Sequence, residues 1–252
     1  MNAQITDRVQ RSFSRSFRSY HDSASQQAEI ADRLVEEMRL GGAPQQFAAA
    51  LEFGCGTGHL THRLRTEFDF ENLTVNDLSP EAAETAEAVG AAFLCGDAET
   101  VEWPRRPDLI ASASMIQWLH DSRTFLQRAA QALPPGGWLA VSGFGPEQYR
   151  ELVRVGSNAK APGLCGSDDL VAAIEDQLDI VSSGESLSSI HFPSPRKVLE
   201  HLRRTGVNGR AQKVWTKTSL AQFTDHYVRD FGTDAGVPLT YHPTWVVARK
   251  PK

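Results

Sequence analysis

The sequence predicts an α/β protein built on a mostly parallel, doubly wound sheet of seven strands. From about residue 43, short apolar runs alternate with stretches of helical periodicity, which is typical of folds with a parallel sheet. A turn with three glycines, LEFGCGTG, joins the first apolar run to the first helical stretch. Acidic residues follow successive apolar runs, at the strand ends where such sheets bind ligands.

Five strand candidates alternate with three helix candidates over the first part of the chain. The strands are predicted at 48–53, 72–79, 91–99, 108–118 and 138–145, and the helices at 59–68, 80–90 and 122–133. Pro80 opens the second helix and Gly90 closes it, in keeping with the preferences of proline and glycine for helix ends. The Pro-Pro-Gly-Gly sequence that begins at Pro134 stops the third helix.

The rest of the chain is less regular. A sixth strand is predicted at 178–184 and a strand pattern occupies 237–250, so we expect an antiparallel hairpin at one edge of the sheet. The material between these strands is mostly helical. We therefore divide the chain into an N-terminal helical lid (1–42), a core (43–145), a helical cap with the sixth strand (146–236) and the last core strand (237–252).

Composition and charge exclude several classes of protein. The net charge of −5 argues against a general nucleic-acid binder. The three cysteines, Cys55, Cys95 and Cys165, lie far apart, so they indicate neither a metal site nor a disulfide framework. No apolar run is long enough to span a membrane. We expect a soluble, cytoplasmic monomer without a metal.

The glycine-rich turn predicts a site for an adenosine-containing cofactor. Glycines between a strand and a helix let the backbone approach a ligand closely. Asp77 follows Gly58 by 19 residues, which is the usual separation for an acid that binds the ribose hydroxyls. A merely tight turn would explain the glycines, but it would not explain why acids stand at three strand ends.

The acid before the turn favours S-adenosylmethionine over a dinucleotide. The fingerprint for dinucleotides is G-x-G-x-x-G, whereas Gly54, Gly56 and Gly58 form the shorter G-x-G-x-G. Glu52 would repel a pyrophosphate, but it can pair with an ammonium group. S-adenosylmethionine carries an ammonium group and no phosphate.

These motifs resemble those of the class I S-adenosylmethionine-dependent methyltransferases, which have a Rossmann-like fold. LEFGCGTG is similar to their first motif, Asp77 to their ribose-binding acid, and PPGGWLAVS to their motif before the fifth strand. Gly96-Asp97-Ala98-Glu99 is similar to the turn in which an Asp meets the adenine amino group. The resemblance implies that the cofactor, or its product S-adenosylhomocysteine, contacts Glu52, Gly54, Cys55, Gly56, Gly58, Asp77, Leu78, Asp97, Ala98 and Ser114.

A narrower resemblance covers nearly the whole chain. RSFSRSFRSYHDSASQQAEIADRL, Gln117-Trp118, GFGPEQYREL, RRTGVNG and LTYHPTWVVARK are similar to segments of the malonyl-acyl carrier protein O-methyltransferases of biotin synthesis. Ala113 departs from that family, which usually carries Asn there. The resemblance implies methyl transfer from S-adenosylmethionine to the free carboxylate of a malonyl thioester on acyl carrier protein, or on coenzyme A.

Three residues are candidates for handling the substrate. Arg150 follows the fifth strand, and an arginine suits bidentate binding of a carboxylate. Tyr20 ends an apolar stripe beside four arginines, on a helix that could close over the site. Trp118 follows the fourth strand and could form a wall of the cavity. Each has a simpler alternative: a solvated arginine, a packing helix and a core tryptophan, respectively.

A basic segment is the candidate surface for the acidic carrier protein. Residues 196–217 contain seven Lys and Arg but only one acid, Glu200. The residues predicted to bind the partner are Arg196, Lys197, Arg203, Arg204, Arg210 and Lys213. An ordinary charged helix is the alternative. Nucleic acid is disfavoured as the partner, because the segment is short and lacks interleaved exposed aromatic residues.

Two other functions remain open from the sequence. A methyltransferase for another small carboxylic acid or for a quinone precursor would share every cofactor residue. A protein that binds S-adenosylmethionine without catalysis, as a regulatory partner, would share them too. Arg150 and the cap sequence favour the malonyl substrate over the first alternative.

Overall fold

The computed structural model describes residues 25–157, 161–205 and 216–252. These residues fall into two compact units. The sheet unit contains 25–145, 162–185 and 243–252. The second unit contains the described residues within 146–161 and 186–242.

The helices and strands, numbered here along the described chain, are close to the predicted ones in the first part of the protein. The helices are α1 Ser25–Leu40, α2 His59–Glu67, α3 Ala83–Val89, α4 Ser122–Ala132, α5 Arg150–Arg154, α6 Ser167–Ala172, α7 Pro195–Arg204 and α8 Lys217–Phe231. The strands are β1 Gln46–Phe53, β2 Asp69–Asp77, β3 Ala92–Cys95, β4 Leu109–Ser112, β5 Trp138–Phe144, β6 Asp179–Glu185, β7 Ser188–Phe192, β8 Val237–Tyr241 and β9 Pro243–Arg249.

The large sheet has seven strands in the order β3-β2-β1-β4-β5-β9-β6. Strands β1 to β5 pair in parallel, and β9 lies antiparallel between β5 and β6. Phe53 at the end of β1 pairs with Asn76 on one side and with Ser112 on the other. The register therefore brings the turns after β1, β2 and β4 to one edge of the sheet. The predicted fold class is confirmed.

Apolar side chains on both faces bury the central strands. Every residue of β4 and β5 is buried, as expected for strands covered by helices on both faces. Helix α4 contributes Phe125, Leu126 and Ala129 to the same core, with the spacing of one helix face. Burying a Phe or Leu side chain of this kind stabilises the fold by roughly 1.5–3 kcal/mol.

Helix α1, which falls within the predicted lid, packs inside the sheet unit. Its buried residues include Ile30, Leu34 and Met38, four residues apart, and the helix lies against α2, β5 and β9. Arg33 places its guanidinium 4.6 Å from the centre of the Trp245 ring. The described part of segment 1–42 is thus a covering helix of the sheet, because its apolar face has the core to pack against.

The strand pattern predicted at 237–250 is two strands that belong to different sheets. Strand β8 pairs antiparallel with β7 in a two-stranded sheet of the second unit, whereas β9 belongs to the large sheet. The break falls at His242, whose N–H donates to Gln148 Oε1 at 2.7 Å. Strand β7 was not predicted, because its sequence SSIHF is short and has only two apolar residues, Ile190 and Phe192.

Candidate active site

Three glycines with positive φ form the turn between β1 and α2. Their φ angles are +69° at Gly54, +48° at Gly56 and +90° at Gly58, the residue that precedes α2. A non-glycine residue rarely adopts this left-handed backbone. The Gly58 N–H donates to the Cys55 carbonyl at 2.8 Å, which closes the turn.

Side chains pack closely against Gly54 and Gly58, whereas no described atom packs against the Cβ position of Gly56. A Cβ at Gly54 would lie 2.5 Å from Cγ of Met115, and one at Gly58 would lie 2.8 Å from Cγ2 of Thr85. A Cβ at Gly56 would meet no described atom within 4 Å. The turn is therefore packed on two sides, and the space beside Gly56 is available to a ligand.

Asp77 at the end of β2 is tied to the glycine turn. Its two oxygens accept the N–H groups of Gly56 at 2.9 Å and of Ser79 at 2.8 Å. Burial raises the pKa of Asp77, and these two hydrogen bonds oppose that shift. Each carboxylate oxygen has a second acceptor site, so the carboxylate can still bind ribose hydroxyls. Leu78, the next residue, is partly exposed.

Glu52 is a buried carboxyl group with one unused oxygen. Its side chain is 1% exposed, and its Oε1 accepts the hydroxyl of Thr61 at 3.0 Å. Its Oε2 is buried and has no hydrogen-bond partner among the residues that the structure describes. Burial raises the pKa of Glu52 from its usual 4.5 to about 8, and the nearby charge of Asp77 adds to the shift. A cationic ligand would satisfy both the oxygen and the charge.

Burial, followed by the charges of Glu52 and Asp77, also raises the pKa of the Cys55 thiol. The thiol therefore stays protonated at neutral pH and is a packing group of the turn.

The turn after β3 presents a second carboxylate. Oδ1 of Asp97 accepts the N–H of Glu99 at 3.0 Å, whereas Oδ2 has no hydrogen bond within the described chain. The Asp97 carbonyl accepts the N–H groups of Thr100 and Val101. Ala98 is buried beside it. Asn76, one residue before Asp77, donates to the Leu94 and Gly96 carbonyls and so ties this turn to β2.

The turn after β4 carries two further unpaired polar atoms. Ser114 has a φ of +56°, and its buried Oγ has no partner among the residues described. Nε2 of Gln117 donates to the Ser114 carbonyl at 2.5 Å, and its buried Oε1 has no partner among the described residues. Met115 contacts Gly54, so this turn adjoins the glycine turn. Trp118 follows, partly buried.

The structure thus brings most predicted cofactor residues to one edge of the sheet unit. Thr61 and Gln117 were not among the predicted site residues. Thr61 lies nine residues after Glu52 on the first turn of α2, so only the fold reveals their contact. Gln117 belongs to the Gln117-Trp118 motif, but the sequence gives no sign that its amide oxygen stays unpaired.

Arg150 begins α5 in the second unit and lies between two carboxylates. Its side chain is 46% exposed, 3.7 Å from Glu147 and 3.6 Å from the buried Glu151. Glu151 also accepts the N–H of Thr240 at 2.9 Å and its hydroxyl. Tyr149, just before Arg150, has a φ of +55°, a strained backbone for a bulky residue. The assignments of Arg150 and Trp118 to the substrate stay predictions, and Tyr20 lies outside the described residues.

The basic residues of α7 lie on its exposed face. Val198 and Leu202 are buried, whereas Arg196, Lys197, Arg203 and Arg204 are exposed. Glu200 is 2.8 Å from Lys197 and 3.0 Å from Arg204, and it is partly exposed itself. Arg210 and Lys213 lie outside the residues that the structure describes.

Within 25–157, 161–205 and 216–252, no group of three or more His, Cys, Asp or Glu side chains is placed to hold a metal ion. None of the helices in these ranges is both long and apolar enough to cross a membrane.

The site fits S-adenosylmethionine on its own geometry. Oε2 of Glu52 suits an ammonium group, the space beside Gly56 suits close backbone approach, and Asp77 and Asp97 lie at successive strand ends. That the predicted residues of the sheet unit hold the cofactor stays a prediction. The unpaired Oε2 of Glu52, which a cationic group would satisfy, favours S-adenosylmethionine over a cofactor with a pyrophosphate.

Comparison with known proteins places the chain among methyltransferases. A family model described as a methyltransferase domain matches residues 51–141. The N-methyltransferase NodS of Bradyrhizobium japonicum, solved in complex with S-adenosyl-L-homocysteine, shares the fold. It superposes with a TM-score of 0.51 at 16% identity, over 93% of this chain and 99% of its own.

Two curated relatives are similar over almost their full length, and both are named malonyl-(acyl-carrier protein) O-methyltransferase. The protein of Bacteroides thetaiotaomicron is 33% identical over 95% of this chain and 96% of its own. That of Chlorobium luteolum is 33% identical over 98% of this chain and 97% of its own. The chain is therefore an S-adenosylmethionine-dependent O-methyltransferase and belongs to the malonyl-(acyl-carrier protein) O-methyltransferase family.

Proposed function

We propose that this protein transfers a methyl group from S-adenosylmethionine to the free carboxylate of malonyl-acyl carrier protein. The product is a malonyl methyl ester thioester that primes the synthesis of the pimeloyl chain of biotin. The names of the relatives support malonyl-acyl carrier protein as the substrate, and the similarity to these relatives extends over nearly the whole chain. The observation that supports S-adenosylmethionine as the methyl donor is the buried, unpaired Oε2 of Glu52 beside the open glycine turn.

Bound S-adenosylmethionine supplies an electrophilic methyl group on a sulfonium centre. A substrate carboxylate is already ionised at neutral pH, so the protein needs no general base. One carboxylate oxygen forms the new C–O bond while the C–S bond breaks, and the electron pair of that bond stays on sulfur. No proton moves in this step, so positioning and the exclusion of water are the tasks left to the side chains.

Arg150 is the proposed anchor of the substrate carboxylate. A guanidinium can hold one carboxylate oxygen while the other attacks, because its donors form a planar fork. The side chain is half exposed and its two acidic neighbours are both beyond 3.5 Å, so its donors are not committed to short hydrogen bonds with them. Trp118 and Tyr20 are proposed to shield the reacting groups from water.

Helix α7 is proposed to contribute to docking of the acidic carrier protein. Four cationic side chains lie on its exposed face, and Glu200 pairs with two of them. Surface charges of this kind speed association more than they strengthen the complex. An acidic partner would compete with Glu200 for Lys197 and Arg204.

The function is tested by incubating the protein with S-adenosylmethionine and malonyl-acyl carrier protein, then measuring the mass of the carrier. We expect the mass of the carrier to rise by one CH2 unit, since a methyl group takes the place of the carboxyl proton. Acetyl-acyl carrier protein, which lacks the free carboxylate, should gain nothing. Malonyl-coenzyme A in a parallel reaction distinguishes the two malonyl carriers. Binding of S-adenosylhomocysteine without transfer to any carboxylate would refute the proposal and favour a regulatory protein.

The role of Arg150 is tested separately with Arg150→Ala, compared with Arg154→Ala on the same helix. Loss of the carboxylate anchor should lower kcat/KM for the malonyl substrate by about a hundredfold, the scale of a lost charged hydrogen bond. The affinity for S-adenosylhomocysteine should not change. Turnover of Arg150→Ala equal to that of Arg154→Ala would remove the role.

A further inference from the structure

A set of side chains that no motif accounts for holds the turn that carries Asp97. We call this set the turn brace, and it consists of Glu99, Trp103 and Arg128. Arg128 lies on α4, and the other two follow Asp97 in the chain. All three belong to the sheet unit.

Arg128 holds the backbone of the turn with both ends of its guanidinium. Nη1 donates to the Glu99 carbonyl at 3.2 Å, and Nη2 donates to the Val101 carbonyl at 3.1 Å. The guanidinium also lies 3.9 Å from the centre of the Trp103 ring, within the range of a cation–π interaction. A lysine could keep part of this contact but could not donate to both carbonyls in one plane.

Trp103 links the turn to the hydrophobic core. Its Nε1 donates to the Ala98 carbonyl at 3.2 Å. Its ring centre lies 4.6 Å from that of Phe53 at the end of β1 and 5.4 Å from that of Phe125 on α4. The brace is thus anchored on α4 and on β1, the strand that leads into the glycine turn.

Glu99 joins the Asp97 turn to the loop before α4. Its N–H donates to Oδ1 of Asp97, which orients that carboxylate. Its own carboxylate accepts the N–H groups of His120 and Asp121 at 3.0–3.1 Å. The turn begins at Gly96, which has a φ of +150°. Its residues are hydrogen-bonded to the end of β2, to α4 and to the loop before α4.

The orientation of Asp97 matters because its Oδ2 has no hydrogen bond among the described residues. A carboxylate oxygen accepts from an amino group but repels a carbonyl oxygen. A carboxylate held in a fixed orientation can therefore bind a 6-aminopurine more tightly than a 6-oxopurine, whereas a carboxylate that can rotate away discriminates between them poorly.

We propose that Arg128 and Trp103 are positioning residues that fix Asp97 for recognition of the 6-amino group of the purine. This inference rests on the proposed function, which assigns Asp97 to the adenine. Neither positioning residue touches the ligand. They act through the Ala98, Glu99 and Val101 carbonyls, and Glu99 transmits the constraint to Asp97.

The test compares dissociation constants for S-adenosylhomocysteine and S-inosylhomocysteine, which differ at the 6-position and the adjacent ring nitrogen of the purine. The variants are Arg128→Met, Arg128→Lys and Trp103→Phe. Arg123→Met is the matched control, because the Arg123 side chain lies on the same helix but donates to the Ala172 carbonyl, outside the brace. A thermal unfolding scan establishes that each variant is folded.

We expect the unaltered protein and Arg123→Met to prefer the adenosine ligand by about tenfold or more, the scale of a charged hydrogen bond. In Arg128→Met this preference should shrink several-fold, mainly through weaker binding of the adenosine ligand. Arg128→Lys and Trp103→Phe should lie in between, and they carry the test if Arg128→Met does not fold.

Three results would overturn the inference, and they differ in what else they remove. A full preference in folded Arg128→Lys and Trp103→Phe would overturn it while leaving the cofactor assignment intact. Equal affinity for both ligands in the unaltered protein would overturn both the inference and the assignment of Asp97. A uniform loss of affinity for both ligands, with the preference unchanged, would show that the brace is merely structural.

Discussion

Glu52→Gln should separate the stability of the free protein from its affinity for the cofactor. The carboxyl group is 1% exposed, and its Oε2 has no hydrogen-bond partner in the described chain. Burial raises its pKa from 4.5 to about 8. The glutamine keeps the shape of the side chain and can still accept the hydroxyl of Thr61, but it carries no charge at any pH.

The sign of the effect on stability follows from the direction of this pKa shift. Between the two pKa values the folded protein keeps the proton of Glu52, whereas the unfolded chain has lost it. The free energy of unfolding therefore falls as pH rises through this window. For these pKa values the loss between pH 5 and pH 8 is about 3–4 kcal/mol. In Glu52→Gln this contribution is absent, so the variant should become more stable than the original protein as pH rises.

Binding of the cofactor should favour the original Glu52 over the glutamine variant. At pH 7 a group with a pKa of about 8 is mostly protonated, and pairing with an ammonium group favours its ionised form. Binding of S-adenosylhomocysteine should therefore release close to one proton. In Glu52→Gln no proton is released at this site, and the affinity should fall by about ten- to a hundredfold, the scale of a lost charged hydrogen bond.

Calorimetric titration in buffers of different ionisation enthalpy counts the protons released, and urea unfolding at several pH values measures stability. Glu84→Gln is the control, since Glu84 is an exposed carboxylate on α3. Binding without proton release in the unaltered protein, or an unchanged affinity in Glu52→Gln, would refute the reasoning.

Two further predictions follow from the glycine turn and from α7. Gly56→Ala should cost only about 1–2 kcal/mol of stability, because the penalty is the positive φ alone, but it should abolish binding of S-adenosylhomocysteine. Gly42→Ala, with a φ of +81° and equally open surroundings, is the control in the same unfolding and binding assays, and equal affinities for the two variants would contradict the assignment. For α7, added salt should raise KM for malonyl-acyl carrier protein far more than KM for a short malonyl thioester. Equal sensitivity of the two substrates in steady-state assays would count against docking through Lys197 and Arg204.

The sequence was sufficient to predict the sheet and to place most candidate cofactor residues at strand ends, because both features are encoded locally. Alternating runs determine the order of parallel strands, and the glycines with Asp77 and Asp97 lie beside strand ends that the sequence itself marks. The periodicity of α1 showed a helix with an apolar face, but it could not show that the face packs on the sheet.

Features that depend on distant contacts could not be predicted. The strand break falls at His242, whose N–H donates to Gln148, 94 residues earlier. The contact between Arg128 and the turn after Asp97 spans 27 to 29 residues and has no motif. That Oε2 of Glu52 is unpaired depends on its surroundings in the fold, and the sequence does not distinguish such a glutamate from any other at the end of a strand.

The central claim is that the methyl group goes to the free carboxylate of the malonyl unit. The most direct measurement uses S-adenosylmethionine with an isotopically labelled methyl group, a single turnover on malonyl-acyl carrier protein, and mild alkaline hydrolysis of the product. An ester should release the label as methanol, one equivalent for each S-adenosylhomocysteine formed. Label that stays on the carrier protein after hydrolysis, or S-adenosylhomocysteine formed without any labelled methanol, would contradict the account.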